Sequence, residues 1–293
     1  MTMALVEVTH LVKRFLRGRG LFMRGAAVTA VNDVTFAIEA GDTFGLVGES
    51  GSGKTTTGRC MLRLVEPTSG SVRFRDTEIL ALPAGPLRAL RRHMQIMFQD
   101  PYSSLNPRMN ARQIVEEPLA VHGVGSRSDR ANRASELLQL VGLAPGQLEQ
   151  YPNQFSGGQR QRVNLARALA LHPSFLILDE PVSALDVSIQ GQIVNLLLDL
   201  QERLSLTYLF IAHDLRLVRE VCNRVAVMYR GTIVETGPTA SIFSGPVHPY
   251  TRALLSAIPQ MDPDAPSQRM TFDPATAARV VLREVRRGHW AAV

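Results

Sequence analysis

The chain is expected to fold as an α/β domain that holds a helical insert and ends in a C-terminal extension. Three observations carry this expectation. A short apolar strand, Thr43–Val47, runs directly into a glycine-rich loop with a helix behind it. From residue 101 to about 151 the pattern turns helical, with Pro and Gly breaks. Past Gly237-Pro238 the chain becomes proline-rich, which places a boundary near residue 240. The 293 residues can bury a large core, enough for one main domain and an appendage.

Residues 5–12 and 31–38 are rich in β-branched side chains and read as strands. Between them, residues 16–29 form a Gly- and Arg-rich loop without periodicity. After Gly41-Asp42 comes the strand Thr43–Val47, and a helix is expected over residues 54–64. Residues 71–74 and 95–98 read as further short strands. The run Phe175-Leu176-Ile177-Leu178 is continuously apolar, as in a parallel strand buried on both faces. Ser188 is placed to cap the following helix, whose Ile189, Ile193, Leu196, Leu197, Leu200 and Leu204 keep amphipathic spacing. Residues 208–212 and 225–229 supply two more core strands.

Composition narrows the classes. With 45% hydrophobic and 20% charged residues the chain is an ordinary globular protein rather than a disordered one. A net charge of +6 is compatible with nucleic acid, anionic lipid or simple solubility, so charge assigns no partner. No apolar stretch approaches the ~18 residues that cross a bilayer. Residues 1–11 lack the basic-then-apolar order of a signal peptide, so neither export nor self-insertion is expected. Cys60 and Cys222 lie far apart with no C-x-x-C spacing and read as two reduced core thiols of a cytosolic protein.

The glycine-rich loop is Gly48-Glu49-Ser50-Gly51-Ser52-Gly53-Lys54-Thr55, a full match to the phosphate-loop pattern G-x-x-x-x-G-K-[ST]. Glycines are needed because backbone amides must come close to the β- and γ-phosphates of a nucleoside triphosphate. Lys54 supplies a point charge on those phosphates, Thr55 gives its hydroxyl to Mg²⁺, and Thr56 is placed to reach the α-phosphate. Asp179 and Glu180 follow the buried strand at its carboxyl end, where open α/β sheets put their ligands. Asp179 there suits Mg²⁺ through water, and Glu180 is placed to polarise the water that attacks the γ-phosphate.

A second segment, Phe155-Ser156-Gly157-Gly158-Gln159, bears the signature of one family of phosphate-loop ATPases. With it the chain resembles the ATP-binding subunits of ABC transporters, over at least residues 1–260. The resemblance implies a RecA-like core with an inserted helical subdomain at about residues 100–170, a nucleotide-binding domain over 1–240 and an extension over 241–293. It implies that Gln99 is the Q-loop glutamine touching Mg²⁺ and the water, and that Asp186 closes the D-loop Ser183-Ala184-Leu185-Asp186. It makes His213 the switch histidine on the γ-phosphate, and it offers Phe15, where the family usually has tyrosine, either to stack on adenine or to pack under the loop. Ser156, Gly157, Gly158 and Gln159 would meet the nucleotide held by an opposite subunit, so that a closed dimer exists only around ATP. Phe155 replaces the family's commoner leucine, one apolar anchor for another.

Three features resemble the dipeptide, oligopeptide and nickel importer branch, and within it the second, F-type ATPase. They are the extended Q-loop from Phe98 to Pro107, the basic loop of residues 16–29, and the segment Gly245-Pro246-Val247-His248-Pro249-Tyr250-Thr251-Arg252-Ala253-Leu254-Leu255. Arg283-Glu284-Val285 and Gly288-His289-Trp290 resemble the closing stretch of the same extension. The resemblance implies an ATP-hydrolysing subunit on the cytoplasmic face of the inner membrane. Its partners would be two permeases, a second ABC ATPase (a heterodimer by default, a homodimer being open) and, indirectly, a solute-binding protein. No nucleic-acid partner is expected. Many relatives carry a cysteine cluster for an iron–sulfur centre in this extension; residues 240–293 contain no cysteine, and no cluster is expected. A similar ATPase of a carbon–phosphorus lyase-type complex is the alternative, though that group generally ends sooner. Nucleic-acid repair relatives would need a coiled-coil insertion that the interval between Lys54 and Asp179 is too short to hold.

Overall fold

The computed structural model describes residues 4–16, 19–20, 23–24, 27–100, 104–258, 270–273 and 281–292. Parts of the basic loop of residues 16–29, and Pro101, Tyr102 and Ser103 of the extended Q-loop, lie outside the described residues. The chain forms two compact units, Met1–Leu82 with Leu209–Val293, and Pro83–Tyr208.

The first unit contains an antiparallel sheet in which Ala4–Leu16 lies between Ala27–Glu39 and Ser69–Phe74. The strands expected over residues 5–12 and 31–38 both run further. Arg14, Phe15 and Leu16 pair with Thr29, Val28 and Ala27, so aromatic and β-branched residues that fit a pleat shorten the loop from both sides. A second group of strands runs in the order Leu282–Arg286, His289–Ala292, Thr232–Pro238, Arg224–Tyr229, Thr43–Val47. Its innermost pair is parallel, with Val225 opposite Gly45 and Val227 opposite Val47, and every residue of Thr43–Val47 is buried. This strand delivers the chain to the phosphate loop.

The helix behind that loop covers Lys54–Met61 and stops short of the expected residue 64. Arg63 takes a left-handed φ of 51°, and its guanidinium donates to the Leu82 carbonyl at 2.6 Å and to Glu66 at 2.9 Å, which turns the chain out of the helix. The closing stretch forms a hairpin through Gly288, whose φ of 71° suits a residue without a side chain. The hairpin joins the sheet by pairing Ala291 with Glu235 and Trp290 with Thr236.

In the second unit Met94–Met97 and Phe175–Asp179 pair in parallel, Met94 opposite Phe175 and Met97 opposite Leu178, and the latter strand is buried throughout. The helices Ala111–Val121, Arg127–Leu140 and Gly157–Leu169 each begin with a capping box, at Asn110, Ser126 and Ser156. The helix Val187–Leu204 begins two residues earlier than Ser188 as a cap would place it. Asp186 is its N-cap, its carbonyl accepting from Ile189 and Gln190 at 2.9 Å, and Ser188 sits inside the first turn. Ile193, Val194, Leu197 and Leu200 form its buried face, while Leu204 is exposed. Among the described residues no helix is long and apolar enough to cross a membrane.

Candidate nucleotide site

In the first unit the phosphate loop is built on backbone geometry open only to glycine at two points. Gly48 has a φ of 146° and Gly53 one of 107°. A Cβ at Gly48 would stand 2.1 Å from the Met228 carbonyl oxygen, and one at Gly53 would stand 2.2 Å from that of Ala30. Lys54 is buried, and its ammonium donates to the carbonyls of Gly48 at 2.8 Å and Glu49 at 2.9 Å and to the Ser52 hydroxyl at 3.4 Å. These are neutral acceptors, and phosphate oxygens make stronger, charge-assisted bonds to an ammonium. Gly53 caps the helix Lys54–Met61 without any side-chain bond. The first-turn amides, those of Thr55 and Thr56 included, therefore have the arrangement that binds phosphate.

Glu49, Ser50 and Gly51 are exposed at the loop's tip, while Ser52 is buried and its carbonyl accepts the Gly231 amide at 2.9 Å. Behind the loop stands Tyr250, whose hydroxyl accepts the Glu49 amide at 3.1 Å. A cavity of about 550 Å³ adjoins this contact, with Glu49, Ser52, Tyr229, Arg230 and Phe272 among its walls. Sequence reasoning assigned Tyr250 no role in the site; only its place in the His-Pro-Tyr segment marked it.

His213 lies in the same unit, exposed, directly after the strand Thr207–Ala212. Its neighbour Asp214 caps the helix Leu215–Val221; burial opposes its ionisation, yet the hydrogen bonds and charge of Arg216 hold its carboxyl below the usual range. Phe15 is 42% exposed near the end of its strand, with the Lys13 ammonium 4.8 Å from its ring centre.

The second unit holds the acidic residues. Asp179 ends its strand fully buried. Glu180 takes a φ of 49°, a conformation uncommon for a residue with a side chain. It is held there by Ser183, whose amide donates to the Glu180 carbonyl at 3.3 Å and whose hydroxyl donates to it at 3.2 Å, and by Gln161, which donates to the next carbonyl, that of Pro181, at 2.7 Å. Such strain persists only where surroundings over-determine it, and it clusters at functional sites. The Gln99 side-chain amide donates to the Glu180 carboxylate at 2.8 Å, so the structure brings the expected Q-loop glutamine to the expected base.

The signature forms a helix tip. The Ser156 hydroxyl accepts the Gln159 amide at 3.3 Å and the Gln159 side chain accepts the Ser156 amide at 2.9 Å, which leaves Gly157 and Gly158 as the bare first residues of the helix. A Cβ at Gly157 would stand 3.1 Å from Leu185, and one at Gly158 2.6 Å from Ile189. These glycines therefore also admit the D-loop and the start of the helix that Asp186 caps. Phe155 is buried, as an apolar anchor should be.

Comparison with known proteins yields a consistent set of likenesses. Residues 31–183 match the family described as "ABC transporter", and residues 234–279 match "Oligopeptide/dipeptide transporter, C-terminal region". The chain is 47% identical, over 92% of each sequence, to a putative peptide import ATP-binding protein of Brucella ovis. It is 52% identical to the glutathione import ATP-binding protein GsiA of Salmonella paratyphi A over 88% of this chain, a span that covers 42% of that longer protein. Among solved structures, the dimeric ATP-binding cassette MJ0796 in a post-hydrolysis state with ADP and phosphate matches with a TM-score of 0.70 and 30% identity, over 80% of this chain and 98% of that one.

Proposed function

The chain belongs to the ATP-binding proteins of ABC transporters, in their oligopeptide/dipeptide branch, and we propose that it hydrolyses ATP to power uptake of peptides or related small solutes. The identity to a peptide import ATP-binding protein across 92% of both chains is the observation that carries this reading. The proposed partners are two permeases that form the pore and a second ABC ATPase. A binding protein would deliver solute from outside, with this subunit on the cytoplasmic face of the inner membrane. Residues 1–240 form the proposed nucleotide-binding domain and 241–293 the extension.

Within this reading the loop Gly48–Thr55 grips the phosphates through its amides and Lys54, Thr56 meets the α-phosphate, Phe15 stacks on adenine, and His213 contacts the γ-phosphate. The oxygen donors of Thr55, Gln99 and Asp179 are the hard ligands that Mg²⁺ prefers, and the ion would supply charge neutralisation on the phosphates. Glu180 accepts the proton of the attacking water, and Gln99, hydrogen-bonded to its carboxylate, fixes the direction of that carboxylate. Ser156, Gly157, Gly158 and Gln159, beside Asp186, present a helix tip to the γ-phosphate held by the opposite subunit.

The test uses Glu180→Gln, which keeps the shape of the site and removes the base. ATP binding is retained, turnover falls at least a hundredfold, in line with the loss of a positioned base, and ATP with Mg²⁺ drives association visible by light scattering. Hydrolysis at the wild-type rate would overturn the assignment of Glu180. Reconstitution with the cognate permeases, with uptake of labelled dipeptide followed into vesicles, tests the transport reading itself.

A further inference from the structure

We propose that Tyr250, in the C-terminal segment, is a positioning residue for the phosphate loop and sets its affinity for nucleotide. The inference rests on the loop being the nucleotide site, as argued above. The peptide unit between Gly48 and Glu49 is held at both edges. Its carbonyl accepts the Lys54 ammonium at 2.8 Å, and its N–H donates to the Tyr250 hydroxyl at 3.1 Å. In a planar trans peptide these groups point in opposite directions, so Lys54 and Tyr250 together fix the plane's rotation. Polarisation runs through the same bond, since a donor engaged on one side strengthens the acceptor on the other.

Tyr250 is itself held rigidly. Its ring is 2% exposed, 4.5 Å from that of Tyr229 and 5.3 Å from that of Phe272 between centroids. Its backbone amide donates to His248 Nδ1 at 3.1 Å, and the His248 and Val247 amides donate to the Glu235 carboxylate at 3.0 and 2.8 Å. Glu235 also meets His289 Nε2 at 2.7 Å, and both residues are fully buried. A continuous series of hydrogen bonds thus links the last strand, through Glu235, His248 and Tyr250, to the first turn of the phosphate loop. When nucleotide arrives and Lys54 turns toward its phosphates, the Tyr250 bond is what remains to hold the Gly48–Glu49 peptide. A loop already in its binding shape loses less freedom on binding.

The test compares the full-length wild-type chain with Tyr250→Phe, which keeps the ring and removes the hydroxyl, and with Tyr250→Ala. Binding of Mg-ADP is measured by calorimetry and ATP hydrolysis at steady state. For Tyr250→Phe the ADP Kd and the ATP KM rise about three- to tenfold, the worth of one hydrogen bond, while kcat changes less than twofold. Tyr250→Ala shows the same affinity loss with a further drop in Tm. Wild-type affinity in Tyr250→Phe, or a loss confined to kcat or Tm, overturns the proposal. Hydrogen exchange on the unaltered protein gives an independent reading. The Glu49 amide is protected without nucleotide, and free exchange there overturns the proposal whatever the variants do. Lys54→Ala separates the two levels of argument: if it binds ADP normally, the loop is not the nucleotide site, whereas loss of binding with an unaffected Tyr250→Phe refutes only the role of Tyr250.

Discussion

A lysine buried in its own loop, a glutamate in a left-handed turn and two shielded thiols show how single residues divide between function and packing. Cys60 is fully buried, and burial pushes its thiol up to about 11, with the Lys13 charge a smaller opposing influence and that of Glu66 a smaller reinforcing one. Its folded pKa stands above the unfolded value of 9.0, so the neutral thiol's contribution to stability is whole below that value and is lost as pH climbs through the folded one. Unfolding midpoints in urea are therefore expected to fall between about pH 9 and 11, and iodoacetamide at pH 9 should label Cys60 in the native chain roughly fiftyfold more slowly than in the unfolded one, whose thiol is half ionised there while about one per cent of the native thiol is. Rapid labelling of the native chain would show the thiol to be accessible. The phosphate loop was legible because its chemistry fixes residue types at adjacent positions. Tyr250 was not legible as its support, because that contact joins positions 201 residues apart and depends on where a hydroxyl comes to rest. The pairing of Gln99 with Glu180, 81 residues apart, could be anticipated only through the family resemblance.

At the level of elements, the segments read best are those whose pattern was decisive within a few residues. Thr43–Val47 is continuous and apolar because it is buried throughout, and the structure keeps its bounds as read. The long strands flanking the basic loop extend beyond what the sequence pattern predicts because Phe15, Val28 and Thr29 sit among Gly and Arg, and only their cross-strand pairing reveals them as sheet. Ser188 looked like a cap because serine is a good one; the turn Ser183–Asp186 ends in Asp186, whose carbonyl starts the helix instead. Caps that do hold can be tested. Asn110 accepts the Gln113 amide at 2.8 Å and donates to Glu149 at 2.6 Å, so Asn110→Ala should lower stability by about 2 kcal/mol. Urea denaturation followed by circular dichroism measures this, and a change under about 0.5 kcal/mol would mean the helix Ala111–Val121 stands without its cap.

For the whole molecule the central matter is that half of each catalytic site is expected to come from another copy or from a related subunit. Ser156→Arg tests this directly, since on the proposed reading a guanidinium at the helix tip would block the approach of a partner's nucleotide. In a Glu180→Gln background the added change should abolish ATP-driven association by light scattering and shift the ATP Kd of the isolated chain less than threefold, within about 0.6 kcal/mol. Equal loss of both would place the signature in the chain's own site. At this scale the order of motifs was plain from the sequence, and so was the kinship it implies, because each motif sits in a definite order along the chain. The join between the extension and the loop was hidden, because the hydrogen-bond series behind it starts from buried Glu235 and His289, two polar residues that look like surface groups when read in a row.

That join also bears on synthesis. A ribosome that has released residues up to Glu235 has produced the whole phosphate loop but not yet His289, so the nascent carboxylate stays hydrated and the sheet edge awaiting Trp290 and Ala291 stays open. Proteolysis of stalled chains should find this edge accessible, and a folding helper that recognises unpaired strands would have its best opportunity in that interval.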